Sequence, residues 1–309
     1  MWKYLKEIEN ISKNNIPDLD TIVLASLEKL SEEEISLGDL DFKKALVVWS
    51  WNAKHTASII HQNSDYLFAD ENNYKENLEK DWVDWVIIYS ASGAKHAPIV
   101  AKYAKDKWFE IKLITCKNNS ETEKIIGKEN CIITPKIKEP YTYNTSTYMW
   151  WIIANTWENP KEILNIIEND ISKQIERQNF YEYDWFLFAI PNKFAKLSSM
   201  IDVKFIELFG RNISRDIKTY EELKHAITVV PNKKELCIKF WQWEVYFEND
   251  VLTITLPENL GLAGFMAISY YIVWKIQRQM PPYFKDNIEN YINALNKSWF
   301  TKNLEVIVE

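Results

Sequence analysis

The chain has 309 residues, a net charge of −7 and a pI near 5.4, with 47% apolar and 26% charged residues. This is ordinary globular composition with room for one large or two ordinary domains. No long basic run exists, so a nucleic-acid surface is not expected. The longest apolar run, from Leu260 to Val273, is interrupted by Gly and Ser and is too short to span a bilayer. The start Met1–Glu7 lacks the apolar core of a signal peptide, which gives a cytoplasmic expectation. Cys116, Cys131 and Cys237 have no motif spacing and read as reduced core residues.

In chain order, residues 1–33 read as two helices, from apolar residues at helical spacing (Tyr4, Leu5, Ile8, Ile11; Ile22, Leu24, Leu27, Leu30). Strands are expected at 45–48, 83–89, 109–116 and 131–133, with helices from 53, over 94–107 and near 121–126. Helices over 145–154 and 160–177 close this series. The pattern restarts with a strand at 186–190, a helix over 193–208 and a helical stretch near 220–223. Strands follow at 227–230, 236–240 and 251–256, with a hairpin expected at Trp241–Trp243. Helices over 260–279 and 284–295 end it. Alternation of this kind predicts an α/β fold with two doubly wound units, each a mainly parallel sheet flanked by helices. The division expected is 1–34 (N-terminal helices), 35–175 and 176–309, the last including a C-terminal tail.

One compositional anomaly stands out. There are 6 glycines and 14 tryptophans, where a chain of this length ordinarily has roughly 20 glycines. The tryptophans also stand where glycine belongs. Trp108 and Trp299 follow helix ends, Trp157 lies in a turn, and Trp49 and Trp51 lie where a strand meets a helix. Some bacterial lineages read UGA as glycine, and a standard-code translation writes it as Trp. The expectation is that most of these positions are glycines in the gene's own code.

Two strand-to-helix segments resemble each other. Ser50-Trp51-Asn52-Ala53-Lys54-His55 and Ser92-Gly93-Ala94-Lys95-His96 both become Ser-Gly followed by Ala-Lys-His when Trp51 is read as Gly, with Asn52 interposed in the first. A helix start offers free N–H groups and a positive dipole end, and small residues let the backbone approach a phosphate. Hydroxyls of Ser50, Ser90 and Ser92 would donate to phosphate oxygens, and Lys54 or Lys95 would add charge. Neither a Walker loop nor a dinucleotide fingerprint is present. His55 and His61 are poorly spaced for a shared metal, and no His or Cys cluster suggests one. No cofactor is expected.

The loop Tyr89-Ser90-Ala91-Ser92-Gly93 resembles the Ser-x-Ser-Gly phosphate loop of the sugar isomerase (SIS) domain family. Asn144-Thr145-Ser146-Thr147 resembles that family's Ala-Ser-Thr segment. Lys204-Phe205-Ile206-Glu207, followed by Glu222-Leu223-Lys224-His225, resembles the isomerase domain of glucosamine-6-phosphate synthase, as does the tail Lys302–Glu309. Archaeal-type phosphoglucose/phosphomannose isomerases share this tandem organisation. Ala94 and Lys95 depart from the family loop, and the imine-forming tail lysine of the synthase has no match here, Lys302 being only nearby.

The resemblance implies a phosphorylated sugar as ligand, bound through Ser50, Asn52, Lys54, Ser90, Ser92, Gly93, Lys95, Ser146 and Thr147. It implies aldose–ketose isomerisation of a hexose 6-phosphate through an enediol. Glu207 would be the base, made effective by partial burial. His225 would serve in ring opening, and Lys204 or Lys302 would stabilise the enediolate. A homodimer is implied, because in the synthase the matching histidine comes from the other subunit. The alternatives are an amino-sugar phosphate deaminase or deglycase, and a non-catalytic phosphosugar sensor.

Overall fold

The computed structural model describes residues 2–38, 40, 42–49, 52–80, 82–226, 230–241, 250–298 and 304–309, the side chains of Asn52 and Ala226 excepted. The chain forms two compact units, residues 34–157 with 293–309 (the first unit) and residues 1–33 with 158–292 (the second unit).

The first unit is built on β1 (Ala45–Trp49), β2 (Leu67–Ala69), β3 (Trp85–Tyr89), β4 (Glu110–Thr115) and β5 (Cys131–Ile133). They form one parallel sheet in the order β2-β1-β3-β4-β5. The inner strands are near-continuous apolar runs, β1 being buried throughout, as expected for a parallel sheet covered on both faces. Val48, Ile88 and Leu113 form a core with Ala97, Val100, Ala101 and Ala104 of the helix His96–Asp106. The two-residue strand β6 (Glu139–Pro140) pairs antiparallel with Ile307–Val308 of the tail. The helix Thr145–Thr156 follows.

The second unit has β7 (Trp185–Ile190), β8 (Ser214–Thr219), β9 (Glu235–Lys239) and β10 (Asp250–Thr253), all parallel, in the order β10-β9-β7-β8. The helix Ser198–Phe209 packs on the long helix Leu262–Arg278. The N-terminal helix Leu19–Leu30 belongs here too, because Asp20 is bonded to Lys275 at 2.7 Å and Arg278 at 2.9 Å. Glu158 accepts the N–H groups of Gly261, Ala263 and Gly264 at 2.7–3.0 Å, capping the long helix.

The α/β class and the two parallel sheets are as the sequence predicts. The unit boundary falls at 157/158 rather than 175, the first 33 residues join the second unit, and the tail from 293 joins the first. The expected hairpin at Trp241–Trp243 is corrected. β9 and β10 run parallel, pairing Leu236 with Asp250 and Ile238 with Leu252. A two-residue turn reverses the chain and cannot return it to a parallel neighbour. Residues 227–229, most of another expected strand, and Trp243 lie outside the described residues. Among the described residues, no helix is long and apolar enough to cross a membrane, and no group of three His, Cys, Asp or Glu residues could hold a metal ion. All three cysteines are free; Cys237 is buried and the other two half-buried.

Candidate functional site

In the first sheet the chain steps from β1 outward to β2 and then back to the other side of β1 with β3. The carboxyl ends of β1 and β3 therefore form a topological switch point, the place where open α/β sheets bind ligands. The loop after β3 is held in one conformation. Ser90 continues the sheet by donating its N–H to Ile114 O at 3.1 Å. The Ala91 carbonyl accepts from Cys116 N at 3.1 Å and Thr115 Oγ1 at 3.0 Å. The Gly93 carbonyl accepts from Thr122 N at 3.0 Å and Thr122 Oγ1 at 2.8 Å. A trans peptide sets each carbonyl opposite to the next N–H. Anchoring these two carbonyls therefore turns the N–H groups of Ser92 and Ala94 away from the anchor, ahead of the helix His96–Asp106. This arrangement suits an anion.

Gly93 has a φ of +57°, and a Cβ there would lie 2.5 Å from Ser120 Oγ, so only glycine fits. Ser90 is buried and Ser92 exposed. The Lys95 ammonium bonds the Tyr141 hydroxyl and lies 5.1 Å from that ring's centre, so it is tethered to Tyr141. Asn52 opens the helix Asn52–Ile60 directly after β1, and Lys54 is exposed on it. Ser50 and Trp51 lie outside the described residues. Trp49 is buried at the end of β1, 5.1 Å from Phe68, and its indole N–H has no hydrogen-bond partner among the described residues. With Ser90 and His96 it lines a crevice of about 10 Å³, room for no more than one water.

The helix Thr145–Thr156 is already capped. Its first N–H, on Thr145, donates to Glu139 Oε2 at 2.8 Å, and Ser146 Oγ donates to Glu139 Oε1 at 2.7 Å. Lys136, itself nearly buried, stands 3.9 Å from the same carboxylate. Ser146 is therefore engaged internally, and Thr147 is fully buried beside it. Glu139 was not legible in the sequence, since nothing in its local pattern marks a residue that caps a helix six positions on.

In the second unit, Lys204 and Glu207 sit one turn apart on the helix Ser198–Phe209 and bond at 2.6 Å. Lys204 is fully buried and its ammonium lies 5.1 Å from the Tyr270 ring centre. Phe205, Leu208 and Phe209 bury the apolar face of that helix. Burial raises the Glu207 carboxyl above the usual carboxylate range, while the Lys204 charge and hydrogen bond oppose that rise. His225 is exposed on the separate short helix Tyr220–Ala226. Lys302 lies outside the described residues.

No protein-family model matches the chain, and no curated protein matches it in sequence. Solved structures do. Glucosamine-6-phosphate deaminase from Thermotoga maritima is 14% identical with a TM-score of 0.61, covering 86% of this chain and 95% of that one. The C-terminal domain of glucosamine-fructose-6-phosphate aminotransferase from Francisella tularensis is 13% identical with a TM-score of 0.59, covering 86% and 97%. Tagatose-6-phosphate ketose/aldose isomerase from Escherichia coli is 11% identical with a TM-score of 0.55, covering 91% and 90%. At these identities the likeness defines the fold: the chain has the two-unit architecture of SIS-domain proteins.

Proposed function

We propose that the protein is a phosphosugar aldose–ketose isomerase acting on a hexose 6-phosphate. The observation that carries this reading is the Ser90–Gly93 loop, whose tethered carbonyls leave N–H groups of Ser92 and Ala94 available to a phosphate. Ser90 and Ser92 hydroxyls add donors. Internal bonding of Ser146 to Glu139 and tethering of Lys95 to Tyr141 give those residues a supporting part.

Glu207 takes the proton from C2 of the open-chain aldose and returns it to C1, forming the ketose. Its raised affinity for a proton suits a base that must hold the proton during the enediol's lifetime. Lys204, expected from the resemblance to stabilise the enediolate, is fully buried and acts instead by offsetting negative charge on the Glu207 carboxylate it bonds. His225, exposed on its short helix, is open to a second protomer, where it would move the ring-opening proton between O5 and O1.

The test is NMR of hexose 6-phosphates in deuterated water. The expected result is interconversion of fructose 6-phosphate with an aldose phosphate, with deuterium entering at C1 or C2. Glu207→Gln should lower turnover by roughly 10²–10⁴-fold while ligand binding persists. Full turnover in that variant removes Glu207 as the base. Ammonia release from glucosamine 6-phosphate, without isomerisation, selects the deaminase instead.

A further inference from the structure

The second sheet has a switch point of its own. β7 lies between β8 on one side and β9 with β10 on the other. A cavity of about 570 Å³ opens there, well inside the range of small-molecule sites, roughly 300–1,000 Å³. The segments following all four parallel strands line it. Asn192 and Phe194 follow β7, Tyr220 and Glu221 follow β8, Trp241 follows β9, and Leu256 and Glu258 follow β10.

The lining differs in kind from a phosphate loop. Two lysines and two glutamates face the cavity, so it carries no net charge. Lys224 bonds Glu221 at 2.7 Å. Lys193 donates to the Glu258 and Leu260 carbonyls at 3.2 and 3.0 Å. Its ammonium lies 4.8 Å from the Phe194 ring centre, and that ring stacks on Phe265 at 4.1 Å. The wall is therefore fixed, apolar through Tyr220, Leu256 and Pro257, and polar at the rim through Asn192, Glu221 and Glu258.

We infer that the second unit carries a ligand site of its own for an unphosphorylated sugar of mono- to disaccharide size. A pyranose presents an apolar C–H face to Tyr220 and the Leu256–Pro257 wall. Its hydroxyls are each donor and acceptor, so they satisfy an amide, a carboxylate and a lysine together without bringing charge. A phosphate would meet two carboxylates and two lysines already bonded elsewhere. This inference does not depend on the phosphosugar reaction.

Saturation-transfer NMR on the full chain tests it, with glucose, N-acetylglucosamine, maltose, uridine and glucose 6-phosphate as probes. A neutral sugar should bind, and its affinity should fall about tenfold in Asn192→Ala/Glu258→Ala, both sites being exposed. Hexose 6-phosphate turnover should not change in that variant. The inference fails if no neutral sugar binds at millimolar concentration, or if binding is equal in the variant. It also fails if uridine displaces the sugar, or if glucose 6-phosphate is the ligand the variant loses.

Discussion

The carboxyl edges of the two sheets share a topology and differ in chemistry. In the first unit, the loop after β3 has its carbonyls tied to the β4 side, so its N–H groups remain available. In the second, the segments after β7 and β10 carry Pro191 and Leu256-Pro257, and they line an apolar bowl ringed by charges of both signs. A parallel sheet with a switch point provides a place for a ligand. The difference teaches that loop chemistry sets the ligand class. Gly93 and two small serines give the first edge a loop suited to the anion proposed for it; a proline, a tyrosine and paired charges give the second the lining of the neutral site we infer.

Gly93→Ala breaks the first half of that contrast most severely. The new methyl meets Ser120 Oγ at 2.5 Å and imposes a side chain on a φ of +57°. The expected loss is roughly 3–4 kcal/mol of stability, with phosphosugar binding abolished. In the second unit, the exposed Asn192→Ala should cost within about 0.5 kcal/mol. Denaturant melts of both variants check this. A Gly93→Ala protein as stable as the parent would show that the cradle is not locked as described.

Acid separates the two units next. His61 is 3% exposed, bonded to Tyr89 at 2.8 Å, and burial pushes its pKa down to about 4 from 6.5. The folded state thus favours the neutral ring. The stability this gives is fully present above pH 6.5 and is lost as pH falls toward 4, levelling off below that. The total is about 3 kcal/mol. The one histidine of the second unit, His225, is exposed. Hydrogen exchange at pH 4.5 should therefore show the first unit, around β1 and β3, loosening ahead of the second. His61→Phe should shrink the difference, leaving the smaller part due to His55, which burial and Lys54 also lower; equal acid response in both units of the parent would refute the assignment.

The apolar strands β1, β3, β4, β7 and β9 were legible because burial on both faces writes a continuous hydrophobic run. β5 and β10, at the sheet edges, were legible too, but β2 and β8 at the opposite edges were not: β2 is only three residues long, and Ser214-Arg215-Asp216-Ile217-Lys218-Thr219 has only one large apolar residue. The Ser90–Gly93 loop stood out by local pattern, and Lys204 and Glu207 by resemblance to a known isomerase domain. The carboxylates of Glu139 and Glu158 could not, since each caps a helix whose need for a cap shows only in three dimensions. The neutral cavity of the second unit was equally hidden, because it draws on four separate loops.

The smallest expected effects concern the tryptophans. Trp108 has a φ of +67° and is 93% exposed; Trp157 has a φ of +58° and is 75% exposed. Trp108 N bonds Lys105 O at 3.0 Å while Phe109 N bonds Ala104 O at 3.1 Å, the paired bonds that end a helix at a glycine. Trp157 N bonds Ile153 O at 2.8 Å in the simpler left-handed cap. Neither ring is buried, so replacing it with glycine removes strain and little packing. Trp108→Gly and Trp157→Gly should each stabilise the protein by roughly 0.5–1 kcal/mol, the relief of left-handed strain less the added chain entropy. Trp151 is the opposite case, fully buried with its indole donating to Thr134 at 3.0 Å, and glycine there should be costly. Trp49 connects this test to the proposed phosphate site, since it lines the crevice at the end of β1 beside Ser90. If the gene encodes glycine at these positions, Trp49→Gly should open that crevice and strengthen hexose 6-phosphate binding. UGG codons there, or tryptophan in peptides of the native protein, would refute the recoding and leave Trp49 as the residue that closes the site.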